Sequence, residues 1–281
     1  MQLINFKKVI YLPAILHNLL KEENKFLSTF SFPNANFTEK YFLFKYLLYA
    51  MDIETLILPV IMDDLREGEI RSDIKNIRNN EDFINSLNLS DLSTLQLLSS
   101  SSSNEDMDAV KNTTQQKSEI FLNKVFSEHI EMWERRPEMR ASLFISLYQL
   151  RNNIFNITPS SERKMVPAFY KKNLFFLKKI LEEATNNEID VLLYIAPIRN
   201  DVTIPYNQEE YLSLKNEIRN IAKELDIKYA NLENTVPNEF WGLKDSTNNS
   251  DKVEIDFMHF QYPGHIIFSN TLKNELVFDQ N

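Results

Sequence analysis

Two near-continuous apolar runs, Thr55 to Ile61 and Asp190 to Ala196, constrain the fold of this chain more than any other feature. Short runs without polar alternation are typical of strands buried on both faces of a parallel sheet, because crossover helices cover each side. Helical periodicity flanks them. Ala14 to Glu23 sets Ile15, Leu19 and Leu20 on one face, and Thr38 is placed to cap a helix from Glu39 to Met51. Ala168 to Ala184 and Asn207 to Leu225 read as two longer amphipathic helices. Ile227 to Leu232 alternates as a strand does. Phe26 to Phe32, rich in phenylalanine and stopped by Pro33-Asn34, reads as another strand. Strand and helix in alternation predict an α/β fold with a short parallel sheet of about four to five strands.

The alternation breaks in the middle. From Ser72 to Ser161 there is no convincing strand. Ile120 to Trp133 and Arg140 to Phe155 carry helical spacing, with Trp133 and Tyr148 expected in a core. Ser99 to Ser103, followed by Asn104-Glu105-Asp106, is a low-complexity connector. The expected division is an α/β domain from 1–71 and 165–281, interrupted by a helical insertion at 72–164 with its Ser-rich connector near 99–106.

Composition removes several classes of function. The net charge of −9 argues against nucleic acid as a partner. No cysteine is present, so disulfides, cysteine nucleophiles and cysteine zinc sites are absent. Three glycines in 281 residues form neither a Walker loop nor a Rossmann fingerprint. No apolar run reaches the roughly 18 residues of a membrane span. The first residues lack a signal-peptide layout.

Asp256-Phe257-Met258-His259-Phe260-Gln261-Tyr262-Pro263-Gly264-His265 concentrates the chemistry. An aspartate three residues before a histidine can fix one imidazole tautomer and stabilise the imidazolium formed in acid–base work. Pro263-Gly264 marks a turn, and Ile266 to Leu276 reads as a closing helix, so His259 is expected on a loop entering that helix. A metal site on Asp256, His259 and His265 has suitable residue types for zinc or iron, but no second cluster adds ligands, and His17 and His129 are isolated. No metal is therefore assigned. Asp63-Asp64 with Glu67 reads as a solvated loop, with magnesium as the sharper alternative. Arg66, Arg71 and Arg199 are candidates for bidentate binding of an anionic substrate, and are equally ordinary ion-pair partners.

Taken together, these segments resemble the SGNH/GDSL hydrolase superfamily, in the branch similar to the DltD and alginate-acetylation proteins of bacterial cell envelopes. Asp256 and His259 match its last block, with Gly264 following. Ser31-Phe32-Pro33-Asn34-Ala35-Asn36 resembles the second block, Met62-Asp63-Asp64-Leu65-Arg66 the third, and Tyr194-Ile195-Ala196-Pro197 the strand before the last helix pair. The resemblance covers residues 12–70 and 165–276. It implies a flavodoxin-like three-layer α/β/α sandwich and an ester hydrolase or O-acyltransferase without a cofactor. The substrate would be an acylated carbohydrate or envelope polymer, and a membrane acyltransferase a candidate partner. It also implies a protein tethered outside the cytoplasmic membrane by an N-terminal segment, which this sequence does not show. His259 would be the general base, Asp256 its orienting acid, and Asn34 and Asp63 the oxyanion-hole positions.

Three departures stand against that pattern. Asn34 replaces a glycine, Asp63 replaces an asparagine, and no Gly-x-Ser occurs. A carboxylate at Asp63 would repel a developing oxyanion unless neutralised or turned away. The expectation is therefore a chain that, as written, is not a competent serine hydrolase. Its closest substitutes, Ser28 and Ser31, fall on the expected second strand and leave His259 facing no serine hydroxyl. The competing expectation is a non-catalytic binding or scaffold protein of an acylation system on the same fold.

Overall fold

The structure, a computed structural model, describes residues 11–30, 34–68, 70, 161–244 and 253–276, with isolated positions at Ile84, Gln149, Leu150, Asn152, Ile154 and Thr158. The chain separates into two compact units: Met1–Lys75 with Glu162–Lys244 and Ile255–Asn281, and Asn76–Ser161 with Asp245–Glu254. Gln149, Leu150, Asn152 and Ile154 are helical. The rest of the segments expected to be helical, 120–133 and 140–155, lies outside the described residues, as do Arg71 and the Ser-rich connector. No described helix is long and apolar enough to cross a membrane.

The first unit is α/β. Its elements are α1 (Tyr11–Lys21), α2 (Phe37–Ala50), β1 (Thr55–Val60), α3 (Met62–Arg66), α4 (Pro167–Asn186), β2 (Asp190–Ile195), α5 (Gln208–Glu224), β3 (Lys228–Asn231), β4 (Trp241–Lys244), β5 (Glu254–Phe260) and α6 (Tyr262–Glu275). β1, β2 and β3 form a parallel three-stranded sheet in that order, and β4 and β5 pair separately. The apolar runs of β1 and β2 are thus the neighbours that their composition predicts. Leu192 and Leu193 are both fully buried, so β2 is covered on each face. On one side Leu192 and Tyr194 join a core with Leu16 and Leu20 of α1 and with Phe268 and Leu272 of α6. α4 also packs against β2.

β1 lies at the edge of the three strands. Asp190 N–H donates to Glu54 C=O, and Ala196 N–H to Val60 C=O. Even-numbered residues of β1 therefore aim their backbone groups at β2, and Thr55, Ile57 and Pro59 aim theirs at the opposite edge. Proline is tolerated there because that edge asks no N–H of it. Among the described residues no strand pairs with this edge, and Lys40 Nζ reaches the Pro59 carbonyl at 3.5 Å.

The structure corrects several expectations. Residues 25–30 are not a strand; Phe26 is 83% exposed. α1 ends at a left-handed Asn24, and Leu27 N–H then donates to His17 Nδ1 at 3.3 Å, so the segment is held to α1 rather than to a sheet. Ser31 to Pro33 lie outside the described residues. Asn36, not Thr38, caps α2, its Oδ1 accepting from Glu39 N–H at 2.9 Å. The polar burst after β1 is the short helix α3, not a loop. The stretch after β3, which carries no strand pattern, contains β4. The Asp256 stretch is strand β5, and Pro263-Gly264 lies inside the first turn of α6, where proline costs no hydrogen bond.

One residue of no apparent sequence interest joins three helices. Asn173 of α4 is fully buried. Its Oδ1 accepts from Thr38 N–H at 3.2 Å and from Thr38 Oγ1 at 3.1 Å, and its Nδ2 donates to the carbonyls of Leu65 at 3.3 Å and Glu67 at 2.7 Å. It fixes α2 and the end of α3 to α4, and so fixes the turn that carries Asp63. Replacing Asn173 with alanine strands several buried groups that each cost about 1–3 kcal/mol. The Asn173→Ala variant is expected to lose roughly 2–4 kcal/mol in urea unfolding. A loss within about 0.5 kcal/mol of zero would show that the clamp carries no weight.

Candidate functional site

The dyad forms through a departure from regular strand geometry. Residues three apart on a flat strand point to opposite faces. Here Asp256 Oδ1 accepts the N–H groups of Met258 at 2.9 Å and His259 at 3.1 Å, curling β5 over its own side chain. Oδ2 then meets His259 Nδ1 at 2.8 Å. The Asp256 side chain is 9% exposed and that of His259 73%. Burial opposes charge on Asp256. The hydrogen bonds from His259 and the two backbone amides outweigh it and hold the carboxyl below its ordinary range. An ionised carboxylate only accepts, so Nδ1 carries the proton, and in the neutral ring the lone pair is on Nε2. That is the arrangement of a general base.

The partner strand is shaped for it. A Cβ on Gly242 of β4 would stand 3.1 Å from the His259 carbonyl oxygen, so glycine allows the close approach. The Gly242 carbonyl accepts from Arg199 Nη1 at 3.2 Å. Arg199, in the loop after β2, also binds Asp201 through Nε at 2.6 Å and Nη2 at 2.9 Å. Those bonds, and the charges of Asp201 and Asp256, raise its pKa further against the opposing effect of burial. Its fork is filled by Asp201, so Arg199 braces the dyad strand rather than offering a free bidentate site.

Asp63 stands at the start of α3, beyond the carboxyl end of β1. Its Oδ1 meets Arg66 Nη1 at 2.8 Å, and Oδ2 meets Arg163 Nη1 and accepts from Tyr206 Oη at 3.1 Å. Arg66 Nε also donates to the Lys164 carbonyl at 2.8 Å. Two guanidinium groups face one carboxylate, so the cluster carries net positive charge. The repulsion expected of Asp63 toward an oxyanion is thereby removed. Burial and Asp63 together push Tyr206 far above the ordinary tyrosine range, so it remains a donor. The adjacent Asp64 is buried against Lys40 Nζ at 2.6 Å; desolvation raises its pKa despite that partner. Asp63 and Asp64 are thus ion-paired and not a solvated loop.

A small cleft lies at the carboxyl ends of β1 and β2, and none of Asp63, Asp256 and His259 lines it. Val60, Met62, Ile195, Pro197, Tyr206 and Met258 line it. Met62 and Tyr206 adjoin Asp63, and Met258 adjoins His259. Cleft formation at strand carboxyl ends is the general rule for open parallel sheets.

The other candidates fall outside this constellation. Asn34 has φ 55°, in the left-handed region that favours glycine and that asparagine tolerates best among other residues. His265 belongs to α6 and packs on Phe260 with ring centroids 4.5 Å apart; burial lowers its pKa. Among the described residues no three acidic or histidine side chains gather as metal ligands, and no serine bonds His259. Ser28 is exposed, and Ser31 lies outside the described residues. Sequence reading missed Arg163, Tyr206 and Gly242. Arg163 joins Asp63 across 100 positions, a pairing without a local signal.

The depressed pKa of Asp256 gives a pH-dependent test. A carboxylate bound more tightly in the folded state stabilises above its unfolded pKa, near 3.8 for aspartate, and loses that contribution as pH falls through its lower folded value. Asp256→Asn is expected to lower stability at pH 7 by about 1–2 kcal/mol. The gap from the parent should stay level down to about pH 4 and close below it. A gap that is unchanged at pH 2 would rule out an ionised Asp256 as its source.

No protein-family model, no curated protein and no solved structure matches the chain.

Proposed function

We propose that this chain has the SGNH-like three-layer α/β/α arrangement and that its site is built for acyl chemistry, as an ester hydrolase or O-acyltransferase on an acylated glycan or envelope polymer. The observation that carries the reading is the Asp256–His259 dyad, with its 2.8 Å hydrogen bond and its open imidazole. In this chemistry Nε2 takes a proton from the attacking hydroxyl as its oxygen bonds to the acyl carbon. Asp256 stabilises the imidazolium that results, and the proton then passes to the departing alcohol. The net positive charge of the Asp63–Arg66–Arg163 cluster is the electrostatic feature that supports an oxyanion in this reading.

The chain as written is a weak catalyst in this reading, because no described serine stands beside His259. A site without its nucleophile retains only what the oxyanion hole and binding supply. One observation favours the non-catalytic alternative, a binding or scaffold protein of an acylation system. Arg66, Arg163 and Arg199 are all already engaged by carboxylates, which is the pattern of a structural network.

Hydrolysis of p-nitrophenyl acetate separates the two. The catalytic reading expects slow turnover above the buffer rate that falls about tenfold or more in both His259→Ala and Asp256→Asn. Equal rates in parent and His259→Ala would leave the scaffold reading. Fluorophosphonate treatment should label no serine, and a labelled serine lost on its own substitution would overturn the missing-nucleophile conclusion.

A further inference from the structure

A second cavity adjoins the cleft and serves neither the dyad nor the Asp63 cluster. It is a groove of about 260 Å³, open to solvent, between the loop after β2, the first turns of α5 and the loop after β3. Ile198 and Tyr211 line both the groove and the cleft, so the two are continuous along one wall.

Its polar groups are arranged distinctively. At the rim Asn200 Nδ2 donates to Asn234 Oδ1 across 34 positions of chain. That single bond leaves the Asn200 amide oxygen and the Asn234 amide NH2 at the same rim, an acceptor and a donor, whichever way the pair is turned. Among the described residues neither remaining group has a partner. Both side chains belong to exposed residues, and so does Gln208 on the opposite lip. Beneath them Lys215 Nζ holds Glu233 through both carboxylate oxygens, at 2.9 and 2.8 Å, so the charged groups of the groove cancel each other. Burial opposes the charge on Glu233, but Lys215 and Asn231 outweigh it and keep the carboxyl below its usual range, so the pair stays ionised and neutral overall. The remaining wall is apolar: Ile204 and Leu212, the latter 56% exposed.

We infer that this groove binds a neutral polyhydroxylated ligand, a sugar unit of a glycan chain, beside the acyl site. An adjacent donor and acceptor suit a hydroxyl pair, in which each oxygen both donates and accepts. The cancelled charge gives a uronate or phosphate no counter-ion, and the Ile204–Leu212 wall takes the C–H face of a pyranose ring. The inference deepens the proposed function by naming the substrate's carrier as a neutral glycan. It rests on that reading for its biological sense and on the groove alone for binding.

The test is an NMR titration of the ¹⁵N-labelled chain with maltotetraose, cellotetraose and chitotetraose, read at the side-chain amide signals of Asn200, Asn234 and Gln208. At least one sugar is expected to shift these signals saturably. The double substitution Asn200→Ala with Asn234→Ala should weaken that binding about tenfold or more, as loss of direct hydrogen bonds does. Both residues are exposed, so the variant keeps its core; Asn220→Ala, on the exposed face of α5, is the control and should bind as the parent does. His259→Ala should bind unchanged, so that failure of the acyl reading and failure of the groove are told apart. The inference is overturned if none of the three sugars moves the amide signals, or if the double variant binds as well as the parent. It is also overturned if an uncharged extended peptide such as Ala-Ser-Ala-Ser-Ala binds there and the sugars do not.

Discussion

Burial of β2 on both faces is the constraint on which the rest of the first unit depends. A strand whose successive side chains are all enclosed needs a neighbour on each edge for its backbone and a helix layer for its side chains. β1 and β3 supply the edges in parallel register, from Thr55 opposite Asp190 to Ile195 opposite Asn231. Once the three strands run the same way, their carboxyl ends share one side of the unit. Attached there are α3 with Asp63, the loop with Arg199 and Tyr206, and the start of the groove, whereas the dyad sits on β5 of the separate two-stranded sheet.

Charge at that side is managed by pairing rather than by exclusion. Asp63 is shared by two arginines and a tyrosine hydroxyl, Asp64 is held by Lys40, Asp201 by Arg199 and Glu233 by Lys215. Such partners work against the desolvation that burial imposes on a carboxylate, fully for Asp201 and Glu233 and only in part for Asp64. The dyad differs from these in one respect. Asp256 is shielded and triply hydrogen-bonded, while the ring it orients is open. That asymmetry, a fixed acid behind an accessible imidazole, is why the proposed acyl reading rests there and not on the arginines.

Much of the α/β order was legible because periodicity is a local property. The runs at Thr55 and Asp190, the capped helix after Asn207 and the long helix before β2 fall within a few residues of their expected bounds. Phe26 to Phe32 misled because β-propensity describes the fit to a half-buried pleated surface, and no such surface receives Phe26. β4 was missed since Trp241-Gly242-Leu243-Lys244 is too short for a pattern. The Pro-Gly pair read as a turn because proline at a helix start and proline in a turn share the same φ.

By itself, the sequence determined the alternation of strand and helix in the first unit and the Asp-x-x-His spacing, both of which are set by residues within about a dozen positions of one another. Tertiary structure decided what those pieces meet. It curled β5 so that Asp256 reaches His259, and it brought Arg163 and Tyr206 to Asp63. It made Asn173 the tie between α2, α3 and α4, and it set Asn200 beside Asn234. The physical reason is that side-chain pairing across tens of residues depends on strand order and helix packing, and neither leaves a local mark in composition or period.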